Sequence, residues 1–250
     1  MNNKVIAIVP AAGLGKRFGR GGNKPFQPLI DKPLIVWALE VFESIDDIVE
    51  VIPVFKKADM EQGCALIERF KLSKVKRIAP GGKERQDSVY NGLNLIGNKA
   101  NAVLIHDGVR PLVEGDLIKR AIQELLIPQH PPTPPLLRGG EGGFDGVVVG
   151  VPLKDTIKEV RSREKEIIVK KTLNRNVLWA IQTPQVFKYA PLINAYKKAM
   201  DEGVYSTDDS AIVERYGGKV KVIMGSYRNI KITTPEDLDI AELFLRKKLN

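Results

Sequence analysis

A chain of 250 residues with 43% hydrophobic and 28% charged residues can bury a full core and is too apolar for global disorder. No apolar run reaches bilayer-spanning length, the opening Met1-Asn2-Asn3-Lys4 lacks the shape of a signal peptide, and the lone Cys64 excludes an intramolecular disulfide and a cysteine metal centre, so a cytoplasmic protein is expected. The net charge of +9 admits nucleic acid or small polyanions as partners. With no recognised nucleic-acid motif and no aromatic residues interleaved with a basic stripe, small anionic substrates are favoured.

Short β-rich runs alternate with helical patterns along the chain. Strands are predicted at 5–9, 49–54, 75–79, 102–106, 147–151 and 220–224. Several are nearly all apolar, as strands covered on both faces must be. A helix opened by Asp116 carries Leu117, Ile118, Ala121, Ile122, Leu125 and Leu126 on one face. A second carries Leu192, Ile193, Tyr196 and Met200, with Pro191 near its start and Gly203 after its end. A third starts at Thr234-Pro235-Glu236-Asp237, runs through Leu238, Ala241 and Leu245, and ends in Arg246-Lys247-Lys248, where cations complement the helix dipole. Alternating strands and helices imply a single α/β domain over 1–250, with a mostly parallel sheet whose ligands bind beyond the strands' carboxyl ends. Two stretches interrupt the pattern. Residues 128–143, PQHPPTPPLLRGGEGG, read as an exposed, mobile insertion. The polar, irregular residues 152–175 read as an arm suited to dimerisation.

The most informative segment follows the first strand. Ala11, Ala12, Gly13 and Gly15 let the backbone approach a ligand and leave N–H groups free for anionic oxygens, and Lys16, Arg17 and Lys24 add cations. Arg17 stands where Walker A needs a hydroxyl, and Phe18 where the dinucleotide fingerprint needs glycine. The pattern therefore points to a nucleoside triphosphate site of another kind. Gly81-Gly82-Lys83-Glu84-Arg85-Gln86-Asp87-Ser88 is a loop entering a helix. Gly82 would let backbone groups read a base, and Ser88 either bonds a base or sugar or caps the helix. In His106-Asp107-Gly108-Val109-Arg110-Pro111, Asp107 is placed to hold a ribose, a metal or a second substrate, with Arg110 for a phosphate; the alternative is a local Asp–Arg pair in a turn. Lys231, in an alternating strand-like run, reads as a residue of a solvated face. Thr156, Arg175 and Thr183 are unremarkable singly. His106 and His130 are the only histidines, with no metal spacing and no nucleophilic triad. Transfer of a nucleotidyl group to a phosphate needs neither, because the acceptor is already ionised; it needs positive charge that holds crowded phosphates in line.

Taken in order, these motifs resemble the 2-C-methyl-D-erythritol 4-phosphate cytidylyltransferase family of the non-mevalonate isoprenoid pathway. Further marks are Lys154-Asp155-Thr156, Asn174-Arg175-Asn176-Val177-Leu178-Trp179, Gln182-Thr183-Pro184-Gln185, Thr207-Asp208-Asp209 and Asn229-Ile230-Lys231-Ile232-Thr233. The resemblance runs from about residue 5 to 245, apart from the insertion. It implies a homodimeric Rossmann-like nucleotidyltransferase with a projecting β-arm, using CTP, the polyol phosphate and Mg²⁺. By the same resemblance Ala11, Ala12, Gly13, Gly82 and Ser88 bind CTP. Arg17, Lys24 and Lys231 stabilise the triphosphate and transition-state charge. Asp107, Arg110 and Thr183 hold the polyol phosphate, and Thr156 and Arg175 reach it from the partner subunit's arm. Direct protein ligands of the metal are not implied.

Three features depart from the family pattern: Gly108-Val109 where Ala-Ala is frequent, Lys83 where some members carry an acid, and the Pro/Gly insertion. The rival readings are a ribitol 5-phosphate cytidylyltransferase and a non-catalytic nucleotide- or RNA-binding protein. The start Pro10-Ala11-Ala12 and the stretch Arg175 to Trp179 favour the methylerythritol enzyme over the first.

Overall fold

Strand β1 (Val5–Pro10) shows why the sheet is covered twice: Val5, Ala7 and Val9 enter one hydrophobic cluster, and Ile6 and Ile8 enter another on the opposite face. A computed structural model describes residues 4–13, 18, 23–97, 100–126, 143–163 and 166–249. The other strands are β2 (Pro28–Leu29), β3 (Lys32–Pro33), β4 (Ile48–Phe55), β5 (Ala79–Pro80), β6 (Ala102–Ile105), β7 (Gly146–Pro152), β8 (Lys158–Arg163), β9 (Glu166–Thr172), β10 (Trp179–Lys188) and β11 (Val220–Met224). The α-helices are α1 (Leu34–Glu43), α2 (Met60–Arg69), α3 (Arg85–Ile96), α4 (Gly115–Leu126), α5 (Tyr189–Asp201), α6 (Asp209–Arg215) and α7 (Pro235–Leu249).

Seven strands form the central sheet in the order β11-β7-β10-β6-β1-β4-β5. All neighbours are parallel except β10, which runs antiparallel to both β6 and β7. Helices α1, α2 and α4 pack on one face through Phe42, Leu66, Ile118 and Ile122. Helices α3, α5 and α6 cover the other through Leu93, Leu192, Tyr196 and Ile212. A smaller third cluster joins Phe18, Leu29, Leu34 and Val109 to Ile232, Ala241 and Leu245 of the C-terminal segment. The fold is thus the expected Rossmann-like α/β architecture: a mostly parallel sheet with helices on both faces.

Helix α4 buries Leu117, Ile118, Ala121, Ile122 and Leu125 as its spacing predicts, starting one residue before Asp116. Gly203, in the left-handed region at φ 65°, follows α5. The start of α7 is capped from within: the Asp237 carboxylate accepts the N–H groups of Thr233 at 2.6 Å and Thr234 at 2.8 Å.

Two expectations need correction, and one strand was not anticipated. The run at 75–79 supplies only the two-residue strand β5. Val75 and Ile78 pack against the core from an irregular segment, and Arg77 turns back to fork Glu50 at 2.7 and 2.8 Å, so the ladder to β4 forms only at its end. Residues 229–233 are not a strand: Ile232 N–H donates to Val109 O at 2.9 Å across the mouth of the sheet, and Lys231 is not on a plain solvated face. Strand β10 carries no apolar-run signal, because Gln182, Thr183 and Gln185 are buried polar residues and Pro184 interrupts the ladder to β7 between Ile181 and Gln185. Within residues 152–175, β8 and β9 form a separate antiparallel hairpin. The 128–143 insertion lies outside the described residues up to its final Gly143.

Candidate active site

The carboxyl ends of β1 and β6 open into a cleft of about 680 Å³. Ala11, Ala12 and Gly13 leave β1 along one wall, and Gly82 to Ser88 enter α3 along another. Close backbone approach explains the glycines. A Cβ on Gly81 would lie 2.3 Å from that of Ala12, and one on Gly82 would lie 2.2 Å from that of Asp87, whereas a Cβ on Gly13 would meet nothing within 4 Å. Ser88 locks this loop. Its hydroxyl accepts the Gly82 N–H at 3.0 Å and donates to Glu84 O at 3.1 Å, which leaves one acceptor lone pair. Asp87 caps α3 by accepting the Glu84 N–H at 2.8 Å.

Among the described residues, five cationic side chains line the cleft: Lys24, Lys56, Lys83, Arg85 and Lys231. They converge from separate stretches of chain, so part of the +9 charge is concentrated in one concavity. The Lys24 ammonium donates to Ile232 O at 2.9 Å, tying the short helical turn Lys24–Phe26 to the segment that carries Lys231. Arg17 lies outside the described residues.

Asp107 is the hub. Its carboxylate meets Lys231 at 2.9 Å, Arg85 at 3.3 Å and Arg110 at 3.5 Å. Burial alone would push this carboxyl up, but Arg85, Lys231 and Arg110 together hold it well below the usual carboxylate range. The local Asp–Arg pair is therefore real, and it is one contact of a larger cluster. Arg110 is buried behind Asp107, with its Nη1 donating to Asn229 O at 2.7 Å. Thr183 is also buried. Its hydroxyl accepts the Asp107 N–H at 3.0 Å and lies 3.1 Å from His106 Nδ1.

These bonds fix the state of His106. Nε2 faces the Arg110 carbonyl at 3.2 Å, which only accepts, so Nε2 carries the proton and Nδ1 accepts the Thr183 hydroxyl. Burial lowers the imidazole from 6.5 to about 4, so it is neutral and its lone pair is engaged; it is not a general base. A stability test follows. Between about pH 6.5 and 4 the unfolded chain protonates this histidine and the folded chain does not, so stability falls as pH drops, by about 3 kcal/mol across that window. Urea titrations from pH 7 to 4 should show this loss, and His106→Gln should flatten it. An equal slope in the variant would count against a buried neutral His106.

Ala11, Ala12, Gly13, Lys24, Gly82, Ser88, Asp107 and Lys231 thus line one cleft, with Arg110 and Thr183 standing behind Asp107. Thr156 and Arg175 are exposed on the arm and do not line it. The unanticipated members are Lys56 and, above all, the pairing of Arg85 with Asp209. Arg85 donates to Asp209 through Nη1 at 3.0 Å and Nη2 at 2.7 Å, across 124 positions that no spacing rule connects.

A cation-lined cleft between a small-residue turn and a helix start, at the carboxyl ends of a mostly parallel sheet, defines a nucleotidyltransferase of the Rossmann-like class. The chain belongs to the 2-C-methyl-D-erythritol 4-phosphate cytidylyltransferase family, whose profile matches residues 5–247. It is 41% identical over 245 residues to the enzyme of that name from Caldanaerobacter subterraneus subsp. tengcongensis, covering 97% of this chain and 99% of the relative. It is 42% identical over 248 residues to that from Geotalea uraniireducens, covering 97% of each. Among solved structures, 4-diphosphocytidyl-2C-methyl-D-erythritol synthase from Anaerococcus prevotii superposes with a TM-score of 0.79 at 28% identity, over 98% of this chain and 97% of that one.

Proposed function

We infer that this protein transfers the cytidylyl group of CTP to 2-C-methyl-D-erythritol 4-phosphate, releasing pyrophosphate, in isoprenoid precursor synthesis. The observation that carries this, within the family, is the convergence of five cations on a cleft whose hub, Asp107, is held ionised. An oxygen of the polyol phosphate attacks the α-phosphorus of CTP. The new O–P bond forms as the bond to the pyrophosphate oxygen breaks, and the electron pair leaves with pyrophosphate. The attacking phosphate is already ionised, so catalysis rests on alignment and charge neutralisation. In this reading Ala11, Ala12 and Gly13 let the triphosphate approach the backbone, and Gly82 and the remaining lone pair of Ser88 meet the cytidine. Lys24 and Lys231, with Arg17 assigned by family resemblance, balance charge developing on the phosphates. Asp107 holds the polyol, with Arg110 and Thr183 fixing its position from behind.

Among the described residues, Glu84 and Asp107 are the carboxylates along the cleft. One or two carboxylates with substrate phosphates are the usual donor set for Mg²⁺; the Asp107 oxygens already face Arg85, Arg110 and Lys231, so Glu84 together with the substrate phosphates would hold that ion. When bound, it supplies positive charge to the triphosphate oxygens.

The protein is further read as a homodimer whose arms complete each other's sites. The arm exposes Val160 (49%), Ile167 (76%) and Val169 (55%), an apolar surface that a second copy would cover. Thr156 and Arg175 would then enter the partner's cleft. No helix among the described residues is long and apolar enough to cross a membrane.

Pyrophosphate release with CTP and Mg²⁺ tests the activity. Release with 2-C-methyl-D-erythritol 4-phosphate and not with ribitol 5-phosphate is expected. Release with ribitol 5-phosphate alone, or with neither, would overturn the reading.

A further inference from the structure

Asp209 is fully buried at the start of α6, too deep to touch a ligand, yet it takes both terminal nitrogens of Arg85, a residue on the cleft wall. Its carboxylate also accepts the hydroxyl of Tyr196, itself fully buried and stacked on Tyr90 at 6.2 Å between ring centroids. Burial raises the Tyr196 phenol well above its ordinary value and Asp209 raises it further, so this hydroxyl remains a donor. Burial alone would lower the Arg85 guanidinium, but Asp209 and Asp107 reverse that and raise it well above its ordinary value. A continuous chain therefore runs from the core, Tyr196–Asp209–Arg85–Asp107, to Lys231 at the substrate cleft.

The geometry along this chain is uneven. Arg85 grips Asp209 with a two-bond fork, and only its Nε reaches Asp107, at 3.3 Å. That is long for a charge-assisted bond, which closes to about 2.7–2.9 Å. Buried ion pairs gain little net stability after desolvation, so stability alone is a weak reason for this arrangement. We propose that Asp209, held by Tyr196, is a positioning residue that keeps Arg85 from closing fully on Asp107 and so leaves carboxylate lone pairs for the polyol hydroxyls.

With Asp209 neutralised, the guanidinium has one carboxylate left within reach. It would swing onto Asp107 as a fork and compete with the polyol. The triphosphate side of the cleft, built from Ala11 to Gly13, Gly82 and Lys24, would be unchanged. The inference rests on the reading of Asp107 as the holder of the polyol phosphate.

The test is steady-state kinetics with CTP and 2-C-methyl-D-erythritol 4-phosphate on wild type, Asp209→Asn, Tyr196→Phe and the pair Asp209→Asn/Arg85→Gln. Asp209→Asn should raise KM for the polyol phosphate about tenfold and leave KM for CTP within about twofold. Tyr196→Phe should shift it the same way by a smaller factor. Removing Arg85 as well should restore part of the loss, because the competitor for Asp107 is gone. A purely structural role predicts the opposite, with the pair as damaged as Asp209→Asn or more so. Equal rises in both KM values, or no recovery in the pair, would overturn the inference while leaving the activity standing. If Asp209→Asn does not fold, an unchanged polyol KM in Tyr196→Phe overturns it. Absence of wild-type turnover would defeat the activity and the inference together.

Discussion

Lys24→Ala is expected to lower kcat by about 100-fold or more while CTP affinity changes only a few-fold. The reason is where charge accumulates. The triphosphate already carries its ground-state charge when bound, and several groups share it: Lys56, Lys83 and Lys231 line the same cleft as Lys24. Loss of one of them is spread across the rest. In the transition state, charge builds on the oxygens around one phosphorus and on the departing pyrophosphate, where a fixed ammonium acts at close range in a partly dehydrated site. The bond from Lys24 to Ile232 O helps fix it, since a lysine on a free four-carbon stem would have to be ordered during reaction. Equilibrium titration with CTP, set beside single-turnover rates, separates the two quantities. Equal losses in binding and turnover would place Lys24 in ground-state binding instead. A thermal midpoint close to wild type would show that losing the Ile232 bond does not itself account for the change.

The sheet was largely legible because burial on both faces leaves a plain mark. Val5 to Val9, Val147 to Val151 and the run before His106 are apolar at successive positions, and each is a strand of the central sheet buried on both faces. Strand β10 was not legible because it carries the opposite mark. Gln182 donates to Ser226 O and Gln185 to Asp208, so this antiparallel strand holds buried polar residues for hydrogen bonds that only the folded chain reveals. The same asymmetry governs the site. The turn at Ala11 to Gly13 and the acid after β6 follow from local rules about backbone approach and strand ends. The setting of Asp107 does not: beyond its local pair with Arg110, its partners Arg85 and Lys231 come from distant segments, and the fork between Arg85 and Asp209 joins positions 124 residues apart. Lys231 illustrates the limit. Alternation in Asn229-Ile230-Lys231-Ile232-Thr233 suggests a strand with an exposed lysine, whereas the segment is irregular backbone that carries the ammonium to 2.9 Å from Asp107. Thr183 is the converse. Its hydroxyl, assigned to substrate by resemblance, instead spans the Asp107 N–H and His106, which makes it a support of Asp107.

Mixed dimers provide the strongest test of a shared site. Lys24 lines the cleft of its own chain, while Arg175 is exposed on the arm, where its guanidinium bonds only back to Lys154 O among the contacts seen, and is absent from the cleft lining. If the arm serves the partner, each site needs Lys24 from one chain and Arg175 from the other. Lys24→Ala and Arg175→Ala homodimers should each be nearly inactive with the polyol phosphate. Unfolded together and reassembled in equal amounts, half the dimers carry one variant of each kind. In such a dimer one site collects both substitutions and the other collects neither. Activity should therefore return to about a quarter of wild type by random assortment in a twofold-symmetric dimer. A site built within a single chain allows no such recovery, since every cleft would still lack one of the two groups. Recovery without assortment is also distinguishable, because keeping the two homodimers folded and unmixed should leave the mixture as inactive as its parts. A reassembled mixture that stays at the level of the parents would place Arg175 outside the partner's site, and with it the view that the exposed apolar arm exists to complete the catalytic cleft of a second copy.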